Sequence, residues 1–201
     1  MLTLFYSFHT TSIDNEAGLA SGFADVPLSA SGRQLAYELG QRYATETLDA
    51  VFCSDLQRAY TTAEIAFSSH NPPIPIVRDA RLRECDYGDL TQYPFVQIEE
   101  ERKRRITEPF PNGESIRMVT KRVGAFLYDV LRDYDDKTIV MIAHGATKWG
   151  LDYWCSNASL EEIIHAPYEW RDSNIWQYQL HAHPLQRRLS NELQSMKGEQ
   201  M

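Results

Sequence analysis

Two histidines, an arginine and a glutamate stand at four separate points of the chain, each closely following a short apolar run. His9 comes after residues 2–8, Arg58 after 50–53, Glu84 after 74–77 and His144 after 139–143. A neutral imidazole is a competent nucleophile toward phosphorus near neutral pH, and a covalent intermediate divides one hard displacement into two easier ones. Its second ring nitrogen must face an acceptor, which fixes the tautomer. A phosphoryl group in transfer carries negative charge on its equatorial oxygens and needs fixed cationic donors, for which a guanidinium fork is the best match. The departing alkoxide needs a proton, the task of a carboxylic acid. His9, His144, Arg58 and Glu84 supply these group types. Each also has a plain structural reading: a histidine tolerated at a strand end, a solvated arginine on a helix, or a glutamate paired with Arg81 or Arg83.

A zinc or iron site is the rival chemistry for two histidines with carboxylates. Their separations of dozens of residues carry no ligand signature, and His181-x-His183, followed by Pro184, reads as a surface strand end. No metal and no cofactor are expected.

The elements that must position these groups follow from the apolar pattern. Residues 2–8, 50–53, 74–77, 139–143 and 175–180 read as buried strands. Between them, residues 31–44 space Leu35, Leu39 and Tyr43 four apart behind the potential caps Ser29 and Ser31. Residues 56–67 and 115–134 also read as helices, the second with Val119, Val123, Phe126, Leu127, Val130 and Leu131 on one side. Strands alternating with helices predict an α/β three-layer sandwich, a mainly parallel central sheet flanked by helices. In such sheets ligands bind beyond the carboxyl ends of the strands, where His9, Ser54-Asp55, Glu84 and His144 all fall.

The chain has 201 residues, 43% of them hydrophobic, enough for one core. It has no run of about 18 apolar residues, so no membrane span is expected, and its N-terminus lacks a signal-peptide pattern. Three cysteines without CxxC spacing suit a reducing, cytoplasmic compartment. The net charge of -8 argues against nucleic acid as a partner. Whether the chain is a monomer or a homo-oligomer stays open.

The motifs resemble the histidine phosphatase superfamily, the phosphoglycerate-mutase-like group. "HTTSIDNE" begins at His9, and "SGFADVPLSASGRQLAYELG" covers residues 21–40. "VFCSDLQRAYTTAEIA" covers 51–66, "RLRECDYGDL" contains Glu84, "PNGES" covers 111–115 and "VMIAHGAT" covers 140–147. All stand in the family's order. The resemblance implies a phosphoglycerate-mutase-like fold in a single domain over 1–201, with a short inserted lid at 89–110. By its own spacing, Leu185, Leu189 and Leu193 four apart, the tail at 185–201 reads as either a docked helix or a partly disordered segment. The resemblance further implies His9 as phosphate-accepting nucleophile, His144 as donor to a phosphoryl oxygen, Arg58 as phosphate clamp, Glu84 as proton donor and Asn15 as pocket lining. The implied activity is a phosphomonoesterase acting on a small phosphorylated molecule through a phosphohistidine.

The family's Arg-His-Gly is altered here to Phe8-His9-Thr10. A charged hydrogen bond contributes about 1.5–3 kcal/mol, so losing one without replacement slows chemistry roughly ten- to a hundredfold. In one account another cation replaces it: Lys148, Arg81, Arg83 or Arg171, with Thr10, Thr11 and Ser12 adding hydroxyl donors. In a second, the chain binds a phosphorylated ligand with little turnover. In a third, it is an interaction module. A phosphoglycerate-type mutase is a further alternative, disfavoured by the short lid, which leaves an intermediate open to water. The charge block 99–105, "EEERKRR", reads as the solvated face of an inserted helix. Tyr93, Phe95, Tyr168 and Trp170 are candidates to line the substrate side.

Overall fold

A computed structural model describes residues 1–166, 175–181, 185, 189, 190 and 192. In chain order it contains β1 (Leu2–Phe8), α1 (Ile13–Glu16), β2 (Leu19–Ala20), α2 (Ala30–Arg42), β3 (Ala50–Cys53), α3 (Gln57–Phe67) and β4 (Ile76–Arg78). These are followed by β5 (Tyr93–Pro94), α4 (Phe95–Arg102), α5 (Ile116–Asp133), β6 (Thr138–Ala143), α6 (Gly145–Cys155), α7 (Leu160–His165) and β7 (Ile175–Leu180). The main sheet runs β4-β3-β6-β1-β7. Its first four strands are parallel, and β7 lies antiparallel against β1. Two-residue strands β2 and β5 form a separate ribbon.

The sheet is buried on both faces, which explains the near-continuous apolar run of β6. Leu2, Leu4 and Tyr6 of β1 join the core under α5 and α6, while Phe5 packs with the cluster under α2 and α3. α5 buries the six apolar residues picked out by their spacing, and the Ser115 hydroxyl caps it by accepting from the Met118 N–H.

The helix at 31–44 forms with Leu39 and Tyr43 inward as their spacing predicts, but Leu35 falls outside the buried face. Leu35 is 43% exposed, while Ala36, Leu39 and Gly40 of α2 and then Tyr43 turn inward. The reason is close backbone approach. A Cβ at Gly32 would lie 1.9 Å from the Thr11 carbonyl oxygen, and one at Gly40 2.1 Å from that of Ala66. The strand expected at 74–77 shifts to Ile76–Arg78 because Pro73 and Pro75 cannot donate to the ladder.

The charge block departs further from expectation. α4 ends at Arg102, and Arg102 and Arg105 are mostly buried rather than solvated. Their guanidiniums lie over the rings of Trp149 and Phe110 and pair with Glu99 and Glu101 respectively. Tyr93 and Phe95 are exposed. Leu185 packs against the core and Leu189 is fully buried in it. Tyr168, Trp170, Arg171, His183, Pro184 and Leu193 lie outside the described residues. Among the described residues no helix is long and apolar enough to cross a membrane.

Candidate active site

The register of the sheet brings the two histidines together. β1 and β6 are adjacent and parallel with Phe8 opposite Ala143, so the next residue of each strand is a histidine at the same sheet edge. The His9 and His144 ring centroids are 5.0 Å apart, with planes tilted by 58°. The His9 N–H donates to the Ala143 carbonyl at 3.0 Å, and the Tyr6 hydroxyl donates to the His144 carbonyl at 2.5 Å.

The His9 tautomer follows from its partners. Nδ1 lies 2.7 Å from the Thr10 carbonyl oxygen, which can only accept, so Nδ1 carries the hydrogen. Nε2 therefore presents its lone pair, and the Arg58 Nε–H donates to it at 3.3 Å. Burial, then the Arg58 charge, pushes the His9 pKa down to about 3 against the opposing Thr10 carbonyl. The imidazole is neutral at physiological pH.

Arg58 is 2% exposed on α3, far from the solvated reading. Its other nitrogens donate to the carbonyls of Ala24 at 2.9 Å and Gly22 at 2.8 Å. Gly22 has φ +50°, a left-handed turn suited to glycine. Burial lowers the Arg58 pKa, opposed by Glu84, Tyr87, Asp25 and Asp14.

His144 is 1% exposed, yet neither ring nitrogen has a partner among the described residues. Burial, with the charge of Arg58, holds its pKa well below the usual histidine range. Leaving a buried polar group unsatisfied costs about 1–3 kcal/mol, so a side chain held this way is suited to an arriving ligand.

Glu84 pairs with neither Arg81 nor Arg83. One carboxylate oxygen accepts from the N–H groups of Cys85 and Ala146, the other from Gly145, placing the charge at the N-terminus of α6. Sequence reasoning missed the groups that hold this loop. Arg122 donates to the carbonyls of Arg81, Arg83 and Glu84, each at 2.7 Å, and forms a two-pronged pair with Glu114. Thr147 donates to the carbonyls of Leu82 and Arg83. In the sequence Arg122 does not stand out from Arg117 and Arg132 of the same helix, while Glu114 and Thr147 lie within "PNGES" and "VMIAHGAT".

Several expected ligand groups are engaged elsewhere. The Thr10 hydroxyl donates to the Gly32 carbonyl, and that of Ser12 is buried and caps α1 in a reciprocal exchange with Asn15. Neither is presented to an anion, because each satisfies local backbone first. The Thr11 hydroxyl has no partner among the described residues, and Asn15 uses Oδ1 on Ser12, leaving Nδ2 uncommitted among those residues. Lys148 does sit on the helix that begins after His144. Its ammonium, however, bonds both carboxylate oxygens of Asp152 at 2.6 Å and lies over Trp176 and Tyr178. Tyr178 is level with Leu4, four residues short of Phe8, so Lys148 points down the sheet. Arg81 is held by Asp79 and Asp129, and Arg83 by Asp55. Phe8 itself packs edge-on against Trp176 at 5.0 Å and Tyr6 at 5.4 Å.

A parallel α/β sheet carrying paired imidazoles beyond its strand ends has the architecture of the phosphoglycerate-mutase-like folds. A model of the histidine phosphatase superfamily (branch 1) matches residues 9–184, and the chain belongs to that superfamily. It is 32% identical over 174 residues to the "Uncharacterized phosphatase PhoE" of Bacillus subtilis (strain 168), covering 81% of this chain and 86% of the relative. It is 31% identical over 187 residues to "Phosphoserine phosphatase 1" of Hydrogenobacter thermophilus, covering 82% and 87%. Among solved structures, "Bacillus stearothermophilus YhfR" superposes with a TM-score of 0.73 at 26% identity, covering 85% of this chain and 87% of that one.

Proposed function

We propose that the chain is a phosphomonoesterase acting on a small phosphorylated molecule through a phosphohistidine at His9. The observation that carries this reading is the neutral His9 imidazole, its Nε2 lone pair facing the Arg58 guanidinium and its ring beside the unpartnered His144. Nε2 attacks phosphorus, and the Arg58 donor passes from Nε2 to a phosphoryl oxygen. A ring N–H of His144 and the Asn15 amide add neutral donors. Glu84 delivers a proton to the departing alkoxide as the P–O bond breaks. Water then attacks phospho-His9, returning a proton to Glu84 and releasing inorganic phosphate. Relatives named as phosphatases support hydrolysis over transfer back to an acceptor. So does the short segment between Gly88 and Pro111, with only β5 and the eight-residue α4 to cover an intermediate. Three cysteines without CxxC spacing suit a reducing, cytoplasmic setting.

The test is phosphate release from an aryl phosphate by the wild-type chain and by His9→Ala, with an alkaline detergent quench to trap the intermediate. The expected result is turnover and an acid-labile, base-stable phosphoenzyme in the wild type only. Equal rates in both proteins, or turnover without that intermediate, refutes the mechanism. Tight phosphate binding with no turnover favours the binding-module alternative.

A further inference from the structure

α3 acts on both nitrogens of the His9 ring. Arg58 and Thr62 stand one turn apart on its buried side. The Arg58 Nε–H donates to His9 Nε2, while Thr62 secures the residue whose carbonyl holds Nδ1. The Thr10 N–H donates to the Thr62 hydroxyl oxygen at 3.1 Å, and that hydroxyl in turn donates to the Arg58 carbonyl at 2.7 Å. The Thr10 hydroxyl donates to the Gly32 carbonyl of α2 at 2.8 Å, its oxygen 3.2 Å from that of Thr62. Carbonyls only accept, so both hydroxyl hydrogens are committed and the Thr62 oxygen serves the Thr10 main chain as acceptor. One residue on, the Thr11 carbonyl accepts from the Ser29 N–H at 3.0 Å. Thr62 is fully buried, so without its oxygen the Thr10 N–H has no water at that position to turn to.

The Thr10 carbonyl, 2.7 Å from Nδ1, is pinned by these bonds. Which nitrogen of a neutral imidazole carries the hydrogen is set by the partner of the other, and a free histidine ring places it mostly on Nε2, the nitrogen that must attack. Arg58 opposes that placement only until its donor passes to a phosphoryl oxygen. From then on, among the described residues, the Thr10 carbonyl holds the hydrogen on Nδ1. As the Nε2 lone pair forms the bond to phosphorus and the ester P–O bond breaks, the ring takes on positive charge, which the Nδ1–H shares with that carbonyl. The contact is therefore stronger in the transition state than before it, and its loss falls on kcat. We propose that Thr62 is a positioning residue that, through the Thr10 main chain, holds the His9 Nδ1–H and so keeps the Nε2 lone pair presented for attack. This inference rests on the reading of His9 as nucleophile given above.

The experiment uses the full chain with Thr62→Val, which keeps the shape and removes the hydroxyl, and Thr62→Ser, which restores it. Two quantities are read: aryl phosphate kinetics, and the His9 Nδ1–H proton by NMR, assigned by its loss in His9→Ala. In Thr62→Val kcat should fall about tenfold or more with KM within about twofold, and the downfield Nδ1–H resonance should move upfield and exchange faster with water. Thr62→Ser should regain both. Thr10→Val, which cuts only the Gly32 tether, should lower kcat about threefold with the same change in the resonance, and it carries the test if Thr62→Val does not fold. An unmoved resonance, whatever happens to kcat, overturns the inference, as does failure of serine to restore it. A resonance that moves while kcat stays leaves the contact standing and refutes His9 as the nucleophile. Absence of turnover in the wild type removes the phosphatase reading, and the resonance then decides the contact.

Discussion

Phe8→Arg asks directly what the altered motif costs. The Phe8 ring makes edge-on contacts with Trp176 at 5.0 Å and Tyr6 at 5.4 Å. Such pairs contribute about 0.5–1.5 kcal/mol each beyond area burial, so losing both costs about 1–3 kcal/mol of stability. An arginine stem lying along Trp176 recovers part of that. Lys148 already lies over Trp176 at 5.1 Å and occupies Asp152, so the new guanidinium meets a like charge below it and is driven up toward the imidazoles. A charged hydrogen bond to a phosphoryl oxygen contributes about 1.5–3 kcal/mol, which at 1.36 kcal/mol per decade is about a ten- to hundredfold rise in kcat/KM. The assay is aryl phosphate hydrolysis beside a urea melt, with Phe8→Leu as the control that removes the ring without adding charge. The variant should be less stable and faster than wild type. If folded Phe8→Arg is no faster than Phe8→Leu, the absent guanidinium is not what limits this pocket.

Arg122→Met removes the clamp on the Glu84 loop and leaves Glu114 unpaired; we expect a loss of about 3 kcal/mol in urea unfolding and a fall in kcat larger than the change in KM. An unchanged kcat in the folded variant would show that the loop holds itself. Both pocket histidines are neutral in the folded chain and titrate near 6.5 when unfolded, so below that pH the unfolded chain binds the extra protons and stability falls. At pH 5.5 the loss is about 1.4 kcal/mol per histidine, read from urea midpoints. By NMR the His9 ring should show no titration between pH 8 and 5; a midpoint near 6.5 refutes the assignment. Lys148→Met and Asp152→Leu should each destabilise by about 1–2 kcal/mol and the double variant by less than their sum, since each single change removes the opposite charge from a largely buried pair.

The features that could be read from the sequence were local and repetitive. Apolar runs marked β1, β3, β6 and β7, and helical spacing marked α5, because burial leaves its period on consecutive residues. The candidate residues at strand ends were legible for the same reason: a parallel sheet brings the residues just past its strands to one edge. Partner choice was not legible. Lys148 looked like a replacement cation until packing gave it Asp152, and "EEERKRR" looked solvated until Trp149 and Phe110 covered two of its arginines. Leu35 looked buried with Leu39 and Tyr43, until close glycine contacts turned Ala36 and Gly40 inward in its place. Nothing near Arg122 or Tyr6 in the chain announced that they brace Glu84 and His144. A side chain's hydrogen-bond and charge partners come from residues dozens of positions away, so only the tertiary structure decides them, whereas the sequence determines which segments will be strands and helices and which chemical groups they carry to the edge.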